Sequence, residues 1–144
     1  MRYFFVADDH EKLNDKLYQH EIHLTVNCHP DRLDDFKLLC EKIGVKCTVI
    51  DLMLDSFEQH VMTSSVVFCK TEEINNHLNI LHSQILPLFD IIRTKVEVPP
   101  TCISDQNLDF SYFELHIPCN EDKIHLADKL INDGYVKSQN VNKK

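Results

Sequence analysis

Two short pairs carry most of the chemistry in this chain: Glu21-Ile22-His23 and Glu114-Leu115-His116. Residues i and i+2 of a strand point the same way, so each pair presents a carboxylate oxygen and an imidazole nitrogen on one surface. Two imidazoles on opposite sides of a phosphorus could take a proton from a nucleophile and give one to a leaving oxygen near neutral pH. Two carboxylates and two imidazoles could also hold a borderline divalent ion such as zinc, manganese, iron or nickel. Arg93 and Lys95 share the polar pattern and repel a cation, so the expectation is no metal and no cofactor.

The pairs sit in longer matching units. Glu21-Ile22-His23-Leu24 returns as Glu114-Leu115-His116-Ile117, and each copy runs into a helix-like stretch ending at Gly44 or Gly134, the only two glycines. A strand–helix unit used twice tends to bring its equivalent side chains together. His23 and His116 are therefore expected on neighbouring or pseudo-symmetric strands, on the sheet face opposite the helices.

The elements around them follow from period and punctuation. Residues 2–7 read as a strand and 8–17 as a short helix with Leu13 and Leu17 on one side. Residues 21–26 alternate Ile22, Leu24 and Val26 against Glu21, His23 and Thr25, the pattern of a half-buried strand. Pro30 opens a helix whose Leu33, Phe36, Cys40 and Ile43 keep helical spacing, and Gly44 ends it. Strands follow at 45–52 and 60–68, with a turn over 53–58. A helix from Thr71 carries Ile74, Leu78, Leu81, Ile85 and Leu88, and Pro87 stops it near Leu86. Residues 91–98 alternate Ile92, Val96 and Val98 against Arg93, Lys95 and Glu97. A polar loop at 101–109, a strand at 112–117 and a helix at 121–133 complete the order.

That order predicts an α+β fold: a ferredoxin-like antiparallel sheet with helices on one face, carrying an internal strand–helix repeat. Residues 1–137 form a single domain, and 138–144 form a flexible tail. The open face should be wet, and cross-strand charge pairs alone would keep it so. On it stand Glu21, His23, Thr25, Arg93, Lys95, Glu97, Glu114 and His116, joined by Thr63 and Ser65 from strand 60–68. The other histidines, including His20 and His82, read as surface residues.

Composition narrows the function further. A chain of 144 residues can build a core, and no apolar run approaches membrane-spanning length. The first residues turn acidic too soon for an export signal, which points to the cytosol. Six cysteines without a CxxC pair then read as free thiols rather than disulfides or a zinc ribbon. A net charge of −8 excludes an extended nucleic-acid track but leaves room for one small phosphorylated ligand. Edge strands of such a sheet also admit a homodimer.

His23-Leu24-Thr25 in an apolar strand resembles the HxT motif of the 2H phosphoesterases, the group that includes the 2′-5′ RNA ligase-like proteins. The opening Met1-Arg2-Tyr3-Phe4-Phe5-Val6-Ala7-Asp8-Asp9 is similar to their usual start. The resemblance implies an enzyme acting on cyclic or 2′-5′ phosphodiesters. His23 and His116 would be its acid/base pair, and Thr25 would be a phosphate ligand. The second motif departs, because Pro118 has no hydroxyl, and a nearby serine or Lys95 would have to replace it. Glu21, Glu114, Arg93 and Ser65 complete the expected ligand-binding set. Met62-Thr63-Ser64-Ser65, the segment from Arg93 to Pro100 and Tyr112-Phe113-Glu114-Leu115-His116 also resemble a set of small bacterial proteins. That likeness implies a stand-alone domain and no particular chemistry. Two non-phosphoesterase readings stand beside it: a ligand- or partner-binding domain, and the metal site of two Glu-x-His strands.

Overall fold

The computed structural model describes residues 3–6, 17–53, 57–99, 110–114, 116 and 138–140. Seven strands and two helices account for most of them: β1 (Tyr3–Val6), β2 (Tyr18–Asn27), α1 (Leu33–Ile43), β3 (Lys46–Met53), β4 (Phe57–Cys69), α2 (Ile74–Ile85), β5 (Asp90–Val98), β6 (Phe110–Glu114) and β7 (Ser138–Asn140). The predicted helix over 121–133, the repeat that it would complete, and all of the predicted helix over 8–17 except Leu17 lie outside the described residues.

Both helices follow from local rules. Pro30 begins a short 3-10 turn leading into α1, and the His29 ring accepts a hydrogen bond from the Asp31 amide there. Gly44 takes φ 76°, a left-handed conformation that side-chain-bearing residues rarely adopt. There its amide reaches Glu41 O and that of Val45 reaches Cys40 O, which closes the helix. The second helix stops at Ile85, before Pro87, so Leu88 leaves the helical register and is exposed.

All seven strands join one sheet, in the order β6-β1-β5-β2-β4-β3-β7. From β5 to β7 every neighbour is antiparallel. Two crossovers interleave at its centre: β2-α1-β3 straddles β4, and β4-α2-β5 straddles β2. The fold is α+β, as the element order predicts. Beyond β5 the sheet turns parallel, with β1 pairing both β5 and β6. Strand alternation is the same for both pairings, so the sequence pattern carried no sign of this change. Ser138–Asn140, read as tail, instead pair with Ile50–Leu52 at the opposite edge.

The core lies between the helices and one sheet face. Ile22, Leu24 and Val26 of β2 meet Phe36, Leu39 and Cys40 of α1 and Ile74, Leu78 and Ile85 of α2 in one buried cluster. Phe36 and Phe89 pack edge to face, with ring centres 5.1 Å apart, and Arg32 covers Phe89 from 4.2 Å. Full burial of such side chains contributes roughly 1.5–3 kcal/mol each, so this layer fixes the strands and sets the polar side chains on the opposite face, where Thr25, Thr48 and Glu97 are themselves buried.

Two register details decide what that face presents. The pairing of β2 with β5 shifts between Thr25 and Val26, so Val26 faces Ile91. Ile92 is consequently 64 % exposed rather than in the core, while Ile91 packs against it. In β4, Ser64 stands opposite His23, and Ser65 stands opposite Ile22. Ser65 thus falls on the helix side of the sheet. The expectation that Thr63 and Ser65 share the polar face is off by one residue, since Thr63 likewise stands opposite Leu24 and is fully buried; such a slip reverses every side chain of a strand.

Candidate functional site

His23 occupies the middle of β2, between Ser64 on β4 and Lys95 on β5. Its ring is fixed at both nitrogens. Nδ1 lies 3.0 Å from Ser64 Oγ, which lies 2.9 Å from Thr48 Oγ1. With Nδ1–H donating to Ser64, the serine proton remains available for Thr48. Nε2 lies 3.2 Å from Glu21 Oε1 and 3.7 Å from Glu97 Oε2.

The carboxylate of Glu97, only 5 % exposed, connects this histidine to the rest of the face. Its other oxygen pairs with the Lys95 ammonium. Lys95 also reaches both oxygens of Glu114, at 3.1 and 3.3 Å. Glu114 Oε1 in turn lies 2.9 Å from Nε2 of His116, just beyond β6. The result is a continuous row: Glu21, His23, Glu97, Lys95, Glu114, His116.

Its electrostatics follow from the alternation of charge. Burial works against a proton on His23, but the hydrogen bonds and charges of Glu21 and Glu97 outweigh it and hold its pKa up at about 9. Burial likewise opposes charge on Glu97 and Lys95. For Glu97, His23 and Lys95 win and lower the pKa; for Lys95, Glu97 and Glu114 win and raise it. The hydrogen bond from His116, with help from Lys95, lowers Glu114 to about 2, and the same bond raises His116. Near neutral pH His23 is therefore held as a cation, and Glu114 biases His116 toward its protonated form.

Of the residues named from the sequence, Glu21, His23, Lys95, Glu114 and His116 come together. Thr25 and Arg93 stand opposite each other further along β2 and β5, with Thr25 buried and Arg93 exposed. Ser65 is replaced by Ser64. The two histidines do not lie on neighbouring strands, since β5 and β1 separate β2 from β6. They meet instead through Glu97, whose charge also helps raise His116. Sequence reasoning placed Glu97 on the polar face without assigning it a role. Its signal was the i, i+2 spacing from Lys95, the same spacing that marks the Glu-x-His pairs.

Within the row, one ligand atom from each of Glu21, His23 and Glu97 lies within 4.8 Å of the other two. The same holds for Glu97, Glu114 and His116. Glu97 belongs to both triads.

Other expectations resolve away from this face. His20, read as surface, is fully buried, with Nδ1 3.0 Å from Tyr18 O and Nε2 3.5 Å from Thr71 Oγ1. His82 is held beneath α2, with Nε2 3.1 Å from Thr94 Oγ1. Cys28, Cys40, Cys47 and Cys69 are free, as their spacing suggests. Burial pushes Cys40 up to about 12 and Cys69 to about 11, which makes these two inert thiols rather than nucleophiles. Among the described residues no helix is long and apolar enough to cross a membrane.

No protein-family model matches the chain, and no curated protein or solved structure shows significant similarity to it. The likeness to 2H phosphoesterases therefore rests on its motifs alone.

Proposed function

We propose that the open sheet face binds a divalent metal ion through Glu21, His23 and Glu97. The observation that carries this reading is the orientation of His23. One ring nitrogen is anchored by Ser64, and the other is aimed at two carboxylates that no other imidazole reaches as closely among the described residues. A metal-ligating histidine is usually held in this manner, its second nitrogen donating to a neighbour that fixes tautomer and direction.

Distances favour it as well. Two ligands about 2.1 Å from a tetrahedral ion are about 3.4 Å apart, so donors already within 4.8 Å of one another need only a modest contraction. One imidazole with two carboxylates suits manganese, iron or zinc better than copper. Three protein ligands leave coordination positions for water or a small anion.

Of the two cations counted against a metal, Arg93 stands further along the strands, opposite Thr25, and Lys95 has carboxylate partners of its own. Lys95 is neutralised by Glu97 and Glu114. With His23 neutral, the carboxylates of Glu21, Glu97 and Glu114 outnumber the Lys95 ammonium, which leaves the face in need of a further cation. A divalent ion thus replaces the His23 proton.

The two-histidine phosphodiester mechanism has less support. It needs one neutral imidazole, yet His23 is held as a cation to about pH 9, Glu114 biases His116 the same way, and the carboxylates around both would repel a phosphate.

Calorimetric titration of chelator-treated protein with Mn²⁺ or Zn²⁺ tests the reading. One ion per chain is expected, with His23→Ala and Glu21→Ala each weakening binding by about tenfold or more. Absence of binding, or binding indifferent to both substitutions, would overturn it.

A further inference from the structure

The second triad, Glu97, Glu114 and His116, has nearly the same donor set as the first, yet a cation is already seated in it. The Lys95 ammonium contacts Glu97 Oε1 and both Glu114 oxygens, at 3.1 and 3.3 Å for the latter. Among the described residues, the corresponding position in the first triad has no fixed cation of this kind, only the ring of His23 itself. Glu97 faces both ways, with Oε2 toward His23 and Oε1 toward Lys95.

We infer that Lys95 is a built-in second cation: it confines this face to one metal ion, and its removal would open a two-ion site bridged by Glu97. The inference rests on the metal reading above. Paired metal sites place their ions about 3.5–4 Å apart across a shared carboxylate. Glu97 is the one residue common to both triads, and its two oxygens already face different partners, Oε2 toward His23 and Oε1 toward Lys95.

A tethered ammonium differs from a second ion in ways that matter for function. It cannot be exchanged, carries a single charge and offers no coordination position to water or substrate. It also holds the buried Glu97 carboxylate in one orientation, so that Oε2 stays turned toward His23. Lys95 is thus a specificity-determining residue for the site, setting the number of ions rather than binding one.

The test compares ion stoichiometry across variants loaded with Mn²⁺ after chelator treatment. The wild type should bind one ion, and His116→Ala should also bind one with affinity changed less than about twofold, because His116 serves a triad that Lys95 occupies. Lys95→Ala should bind two, and the double variant Lys95→Ala/His116→Ala should return to one. Electron paramagnetic resonance gives an independent readout, since two Mn²⁺ across one carboxylate are spin-coupled and a single ion is not. Lys95→Gln supplies a second, less disruptive variant if the alanine substitution, which strips a buried carboxylate of its partner, fails to fold. A wild type that binds two ions, a loss of binding in His116→Ala, or folded Lys95 variants that keep one uncoupled ion would each overturn the inference. A wild type that binds none would overturn the metal reading itself.

Discussion

Nε2 of His23 lies 3.7 Å from Oε2 of Glu97, although Glu97 is not its cross-strand partner. Lys95 holds that position, and Glu97 pairs with Glu21. Two carboxylates set directly opposite each other would repel, and like charges in such pairs are destabilising. The imidazole relieves this by reaching diagonally to one and along its own strand to the other. The strand pairing thus creates a local excess of negative charge that something cationic must fill, whether a proton on His23 or a metal ion.

In the metal-free protein that cation is the proton, and it makes stability depend on pH. The His23 pKa is raised in the folded state, from 6.5 to about 9. Its contribution is therefore complete below about pH 6.5 and is lost as pH rises through about 9. At roughly 1.4 kcal/mol per unit, the full span is on the order of 3 kcal/mol. Denaturant unfolding between pH 6 and 10 should show a fall in wild-type stability that His23→Gln lacks. Parallel curves for the two proteins would show that the Glu21–His23–Glu97 contacts are not formed.

The serine pair separates the two sheet faces. Ser64→Ala removes the anchor of His23 Nδ1 and a partner of Thr48, and should weaken metal binding by about tenfold. Ser65→Ala should leave binding unchanged, because that side chain lies on the helix side. Its Oγ is buried without a hydrogen-bond partner among the described residues, so losing it should be neutral or stabilising by up to about 1 kcal/mol. Equal effects of the two substitutions on affinity would be inconsistent with the β2–β4 register.

How much of this was legible beforehand depended on which rule governed each residue. The alternation of Ile22, Leu24 and Val26 against Glu21, His23 and Thr25 identified the open face, since period two is a property of the backbone itself. Gly44 and Pro87 marked both helix ends for similarly local reasons. The serine register was not legible: Val61 to Phe68 carries apolar and small polar residues in either phase, and only pairing with β2 chooses between them. The bulge that exposes Ile92 was hidden for the same reason. Glu97 looked like one more solvated carboxylate until β1 and β5 paired and buried it.

His20 offers a second pH signature, of opposite sign and on the other face of β2 from the metal ligands. Burial lowers its pKa below 6.5, and the ring is neutral between Tyr18 O, Cys69 and Thr71. The unfolded chain then binds a proton that the folded state resists, so stability declines as pH falls below about 6.5. His20→Gln, which keeps polar atoms without titrating, should flatten that decline between pH 6.5 and 5. Nuclear magnetic resonance of the His20 ring gives the direct check: it should remain neutral at a pH where an exposed histidine has protonated. A His20 signal that titrates at or above 6.5 would contradict the buried placement.

Phosphodiester chemistry without a metal is the sharpest contrast with the proposed function. A two-histidine mechanism would proceed in chelator, and His23→Ala and His116→Ala would each cost about 10²-fold or more, the scale of one lost acid or base. The charged row argues for the other outcome. Glu21 and Glu97 keep His23 protonated to about pH 9, so below that it can donate a proton but not accept one. His116 is raised by Glu114 as well, which biases it away from the free base that the mechanism needs. Thr25, the phosphate ligand of the HxT pattern, is only 4 % exposed. Assayed in chelator with 2′,3′-cyclic and 2′-5′ phosphodiesters, the wild type and the His23→Ala/His116→Ala double variant should therefore show the same background rate. A wild-type rate that collapses in the double variant, and survives chelation, would restore the two-histidine mechanism and show that substrate frees one imidazole from its carboxylates.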